Sequence, residues 1–173
     1  MVTIILYGDL KDKKITKNLI DYLEGKCNIM HQTPYKMTCY SVKNSLKDVL
    51  VIETDVLNFI ENSQAIFIFK NAISNNINLK INSEINILVN SKNFKAIDFL
   101  IKSKFKNIVT YGSFSTDSLT LTDFGDESKI LCLQRGIKNL EGDLIEPFEI
   151  TVSECKVDVD MLPIYGVKIL LNL

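Results

Sequence analysis

A chain of 173 residues, 46% of them hydrophobic, can bury the core of one domain, which excludes an intrinsically disordered protein. Twenty basic residues against 21 acidic ones leave a net charge of -1, too little for a global field that would draw the chain to nucleic acid or an anionic membrane. No apolar run approaches the roughly 20 residues that cross a bilayer, and MVTIILYGDLKDKK lacks a basic head and cleavage site, so the expected location is cytoplasmic.

The first element, Val2 to Leu6, is a continuous apolar run, as expected of a strand covered on both faces. After Gly8 the period changes: Ile15, Leu19, Ile20 and Leu23 fall at helical spacing, and Gly25 can end the helix. Cys27 to Lys47 has weak periodicity and reads as loop with one short strand. DVLVIE (48–53), AIFIF (65–69), INILV (85–89) and NIVTYG (107–112) are further apolar runs. Before the last of them Phe94, Ile97, Leu100, Ile101 and Phe105 mark one helical face. Strands alternating with helices and reading as solid apolar blocks predict a mainly parallel sheet flanked by helices. After Gly112, DSLTLTDF, SKILCLQ and PFEITV are short strand candidates separated by the turn signals FGDES and NLEGD, which predicts an antiparallel meander. VDVDMLPIYGVKILLNL reads as a final helix, with Asp160 as its cap and Pro163 in its first turn. One α/β domain spanning residues 1–173 accounts for the whole pattern.

Cys27, Cys39, Cys132 and Cys155 include no C-x-x-C pair and His31 is the single histidine, so reduced buried thiols are expected rather than a zinc site. Cys27 lies four residues before His31, the spacing of a conceivable nucleophilic pair. Arg135 is expected to pair across a hairpin with Glu146 or Glu149.

The segment LYGDLKDKKITKNLIDYLE (6–24) has the form of a phosphate loop: strand, glycine turn, helix. Taken with the signals after it, the layout resembles the central, ATP-binding domain of the Mur ligase family. Members of that family join an amino group to a carboxylate through an acyl phosphate made with ATP. Laid on the family's G-T-x-G-K-[ST]-[ST], Gly8 matches the first glycine, while Lys11, Asp12 and Lys13 stand at the second glycine, the lysine and the first hydroxyl residue. DVLVIE looks like the strand whose glutamate holds magnesium, with Glu53 in that place. KNAISNN has the spacing of T-N-x-x-x-D-H, in which the histidine is linked to a second metal: Asn71 matches, and Asn75 and Asn76 replace the acid and the histidine. VNSKN is similar to N-x-D-[DN], with Asn90 matching and Lys92 in place of the acid, and VTYG (109–112) to [TF]-[YF]-G. The meander and last helix resemble the H-N-x-x-N-A-x-A-A region without its histidine or asparagines. The family's other two domains have no room in this chain.

Asp12 at the lysine position sets negative charge against a phosphate, an interaction of about 1 kcal/mol in water and about 4 kcal/mol at a protein surface for ions 4 Å apart. The resemblance therefore implies a non-catalytic relative, with no catalytic residue and no cofactor. Gly8, Lys13, Lys14, Asn71 and Asn90 are its vestigial nucleotide-binding positions, and Glu53 its vestigial metal position. Residue chemistry alone allows weak anion binding by Lys11, Lys13, Lys14 and the helix N-terminus, beside a solvated basic turn. It also allows Glu53 as a strand-end acid facing solvent or capping a helix, and the asparagines as groups that satisfy loop backbone. The expected partner is an unknown protein or small ligand, with no nucleic acid and no membrane. A partner that supplies the missing ligase domains and a homo-oligomer through the meander's edge are further expectations.

Overall fold

The structure, a computed structural model, describes residues 1–74, 77–124, 128–152 and 158–173. In chain order it forms β1 (Val2–Tyr7), α1 (Lys14–Leu23), β2 (Asn28–Gln32), β3 (Met37–Tyr40), β4 (Asp48–Thr54), β5 (Phe59–Ile60), β6 (Ala65–Phe69), β7 (Lys80–Ile81) and β8 (Asn86–Asn90). Then come α2 (Phe94–Lys102), β9 (Asn107–Gly112), β10 (Leu119–Phe124), β11 (Ser128–Leu133), β12 (Ile137–Lys138), β13 (Leu144–Ile145) and β14 (Phe148–Val152). A 3-10 turn (Val159–Met161) leads into α3 (Leu162–Leu171).

Ten strands make one sheet in the order β14-β11-β10-β9-β8-β6-β1-β4-β2-β3. The stretch from β10 to β2 is parallel, while β3, β11 and β14 join by antiparallel pairing. The fold is thus a mixed α/β architecture with a large, mostly parallel sheet, C-terminal antiparallel strands and a final helix, as the apolar blocks predict.

Both faces of the central strands are covered, which is why they read as unbroken apolar runs. On one face Ile4, Leu6, Val51, Ile66, Ile68 and Leu88 pack against Ile15, Leu19 and Leu23 of α1 and Ile164, Val167 and Leu170 of α3. On the other, Ile5, Tyr7, Phe67, Phe69, Ile87 and Val89 meet Ala96 and Leu100 of α2 together with Ile60, Ile73 and Leu79 from the crossovers. Each fully buried side chain of this kind contributes about 1.5–3 kcal/mol. Helix α3 is apolar on nearly every side because it lies in the fold, and Gly166 lets it approach the sheet: a Cβ there would stand 2.7 Å from Leu88 Cδ2.

Several local expectations are corrected. Residues 27–47 hold two strands, β2 and β3; their half-exposed edge hairpin alternates too weakly to be read as strand. The crossovers from β4 to β6 and from β6 to β8 form no helix among the described residues, and their short strands β5 and β7 pair with each other. On α2, Phe94 and Ile101 face solvent at 76% exposure each, and Ala96 and Leu100 make the buried face. Asp158, not Asp160, caps the 3-10 turn, accepting from Asp160 N at 2.9 Å, and α3 starts without a side-chain cap, with Pro163 in its first turn. Arg135 donates to Thr116 O at 2.7 Å, so no pairing with Glu146 or Glu149 is seen. Cys27 and Cys132 are buried free thiols whose pKa burial raises, but Cys39 is exposed, and Cys155 lies outside the described residues. Cys27 and His31 are not placed as a nucleophilic pair: Cys27 lies in the bend before β2, and about 10 Å of extended chain runs from Asn28 to His31.

A charge cluster at the ends of the parallel strands

The glycine turn after β1 is held against the segment that follows β6. Gly8 N donates to Thr54 O at 3.0 Å, and Asp9 N to Ala72 O at 2.8 Å. Gly8 has φ +149°, and a Cβ there would lie 2.6 Å from Ala72 O and 2.8 Å from Lys70 Cβ, so only glycine fits. Asp9 then turns its carboxylate inward: Oδ1 accepts from Lys11 N at 2.8 Å and Oδ2 from Ser74 Oγ at 3.1 Å. The Lys11 N–H bond, reinforced by Ser74 and by the Lys11 and Lys70 charges, holds its carboxyl below the ordinary value. Asp12 N donates to Asp9 O at 3.1 Å, and the Asp12 carboxylate lies 3.4 Å from both Lys14 N and Ala72 N. The backbone donors of Asp9, Lys11 and Asp12 are thus all satisfied by the protein itself, through Ala72 O, the Asp9 carboxylate and Asp9 O.

Glu53, near the end of β4, is 0% exposed and points toward α1. Its Oε1 accepts from Thr16 Oγ1 at 2.8 Å and Lys70 Nζ at 2.9 Å, and its Oε2 from Lys13 Nζ at 2.8 Å. Burial alone would raise its pKa, but the nearby His31 ring and the hydrogen bonds from Lys13, Lys70 and Thr16 outweigh burial and hold the carboxyl well below the ordinary carboxylate range. His31 Nε2 is itself buried, 3.6 Å from Oε2, beyond good hydrogen-bond distance, and makes no hydrogen bond. Lys70 is also 0% exposed, and its ammonium reaches Asp9 O, which ties the cluster to the glycine turn. Glu53 therefore neither faces solvent nor caps a helix. The fold brings the acid and the two lysines together because β4 and β6 flank β1 in parallel register, so both strands end beside Tyr7.

Lys14 does not join this cluster. It lies 3.4 Å from Asp160, whose other oxygen accepts from Asn71 Nδ2 at 2.6 Å, and Asn90 Nδ2 is 3.4 Å from Asn71 Oδ1. Asn90 Oδ1 accepts from Lys92 N at 2.9 Å, the loop-satisfying role, while Asn75 and Asn76 lie outside the described residues. The Tyr111 hydroxyl is buried with no hydrogen-bond partner among the described residues, and burial, with the Asp160 and Asp12 charges, pushes its pKa up.

A magnesium ion does not fit this arrangement. Glu53 already faces two ammonium groups within 2.9 Å, and among the described residues no group of three or more His, Cys, Asp or Glu side chains could hold a metal. A cleft of about 380 Å³ borders the cluster, lined by Gln32, Tyr35, Glu53, Thr54 and Asp55.

Sequence reading places Gly8, Lys13 and Glu53 together and misses the roles of Thr16, His31 and Lys70. A signal for Lys70 exists: a lone lysine directly follows the apolar run AIFIF, as Glu53 directly follows the apolar run VLVI. Thr16 sits on the buried side of α1, where a hydroxyl needs a partner.

No protein-family model matches the chain, and no curated protein matches it. Among solved structures it is similar to the UDP-N-acetylmuramate:L-alanyl-gamma-D-glutamyl-meso-diaminopimelate ligase from Neisseria meningitides, with a TM-score of 0.56 and 12% identity over 99% of this chain and 62% of that one. It is similar also to a murein peptide ligase from Psychrobacter arcticus, with a TM-score of 0.56 and 10% identity over 99% of this chain and 44% of that one. The chain spans less than two thirds of either ligase, and at such identity the likeness is one of fold: the fold is Mur ligase-like.

Proposed function

We propose that this chain is a non-catalytic Mur ligase-like domain that acts as a binding or interaction module. The observation that carries the reading is the Lys13–Glu53–Lys70 cluster. It sets two cations on the acid that resembles the family's magnesium ligand, while Asp9 and Asp12 occupy the loop that resembles its phosphate cradle. Metal-bound ATP would have to displace these contacts before binding. The test is a thermal-shift series with magnesium ATP, paired with an ATPase assay on wild type and Glu53→Ala. A ligand at 100 times its dissociation constant stabilises by about 2.7 kcal/mol. Neither a shift nor turnover is expected, and hydrolysis that disappears in Glu53→Ala would overturn the proposal.

One observation favours a second reading, a small-ligand protein using the same end of the sheet. The cleft of about 380 Å³ beside Glu53 is lined by polar and apolar groups of β2, β4 and the turns that follow them. Stabilisation by a nucleotide or peptidoglycan precursor, without turnover, would select it. The ligase neighbours are much longer chains, which supports testing for a partner that supplies further domains by co-purification from the native cell.

A further inference from the structure

The ten-stranded sheet is open at both ends, each closed by a strand that pairs antiparallel with its neighbour: β3 at one end and β14 at the other. An edge strand presents unpaired N–H and C=O groups, a template for a further strand. Charge is divided between these ends. Beside β3, residues 33–47 carry Lys36 and Lys43 and no acid, whereas on and just before β14, residues 144–152 carry Glu146 and Glu149 and no base. Lys47, just before the interior strand β4, pairs with Glu141 at 3.0 Å and stands at neither edge. That leaves exposed Lys36 and Lys43 at one edge against exposed Glu146 and Glu149 at the other.

Strand direction matches the charge. β3 runs against the parallel strands, whereas β14, antiparallel to β11, runs with them. Two copies set side by side in the same orientation would therefore bring β14 of one against β3 of the next as an antiparallel pair, the geometry with hydrogen bonds perpendicular to the strands. Exposed apolar side chains adjoin both edges, Met37 on β3 and Ile150 on β14.

We propose that the chain self-associates edge to edge, the acidic β14 edge of one copy adding to the basic β3 edge of a second. The contact is heterologous. A two-fold β14 pair would set two exposed acids against two, and a two-fold β3 pair lysines against lysines. Because each copy keeps a free edge of each kind, association adds copy after copy unless the sheet twist closes a ring.

Sedimentation velocity over a concentration series at low and high salt tests this. Species larger than a dimer should grow with concentration and retreat as salt rises. The double variant Glu146→Lys/Glu149→Lys, and separately Lys36→Glu/Lys43→Glu, should weaken association by at least about tenfold, since each replaces attractive pairs by repulsive ones. Mixing the two variants should restore it, because each then offers the other an edge of opposite sign. A wild type that stays monomeric throughout, a dimer that never grows, or a mixture that fails to associate would overturn the proposal. Hydrogen exchange on the wild type gives a reading free of any folding defect in the variants. Amides of residues 37–40 and 148–152 should gain protection together as concentration rises, and protection at one edge alone would also overturn it.

Discussion

Removing the charge of Glu53 strands Lys70. In Glu53→Gln the Lys70 ammonium stays fully buried, with the Asp9 carbonyl and a neutral amide as its partners, and Lys13 loses its anion. Breaking a buried ion pair from one side costs about 3–5 kcal/mol, a large share of the roughly 5–15 kcal/mol that holds a domain together. Lys13, 55% exposed, can swing into water and adds little to that figure. Replacing both partners by apolar groups of similar volume, Glu53→Leu with Lys70→Met, removes the stranded charge and should cost less than either single change. The assay is urea unfolding followed by circular dichroism on wild type, Glu53→Gln, Glu53→Leu, Lys70→Met and the Glu53→Leu/Lys70→Met double, with the slope m checked for constancy. The expected cycle shows a coupling of about 2 kcal/mol or more. A Glu53→Gln cost below about 1 kcal/mol, or a double variant as unstable as the sum of the singles, would refute the reasoning.

The same carboxylate sets a pH dependence. Its folded pKa lies below the ordinary 4.5, so the unfolded chain binds more protons, and the stabilisation present at neutral pH is lost as pH falls from about 4.5 toward the lowered folded value; acid titration of stability should show a slope that Glu53→Gln lacks. Gly8→Ala should destabilise by about 2–4 kcal/mol, because its Cβ meets the Ala72 carbonyl at 2.6 Å on a backbone with positive φ, and thermal unfolding reads the loss. Tyr111→Phe should be neutral or stabilising by about 1 kcal/mol, since the hydroxyl it removes is buried without a partner among the described residues; a clear loss of stability would show that the hydroxyl is bonded.

The central sheet was legible because its physics is local: strands covered on both faces must be apolar throughout, and β1, β4, β6, β8 and β9 are so nearly apolar that each is found within a residue or two. The β2–β3 hairpin was not, because an edge pair with one open face can carry Asn28, His31 and Gln32 and still pair through its backbone. Phe94 and Ile101 mislead for a related reason: apolar spacing marks a face of a helix, but α2 turns Ala96 and Leu100 to the sheet, packs Ile97 and Phe99 beside them, and leaves Phe94 and Ile101 outside. At the site, Glu53 was found by its place at a strand end. Its partners come from α1, β2 and the end of β6, and only the strand order, with β1 between β4 and β6, reveals that Lys70 reaches it. Asp9 escaped notice because its work is a turn, with bonds to Lys11 N and Ser74 Oγ that no spacing signals.

The substitutions that separate this chain from the pattern it resembles make most sense as a set. A phosphate cradle needs an anion for its loop N–H groups, and a magnesium glutamate needs a cation. Here Asp9 supplies the loop with an anion and Asp12 adds a second beside it, while Lys70 and Lys13 supply Glu53 with cations. The two exchanges are joined at one point, because the Lys70 ammonium bonds both the Asp9 carbonyl and Glu53. Replacing Asp12 by lysine alone would remove an acid from the loop and leave Lys70 on Glu53, and replacing Lys70 by a neutral residue alone would leave buried Glu53 with Lys13 as its remaining ammonium partner. Either single change toward the resembled pattern thus unbalances charge at a buried site, at a cost of several kcal/mol. On the proposed reading this linkage keeps the cleft closed to magnesium ATP more firmly than any single missing residue does.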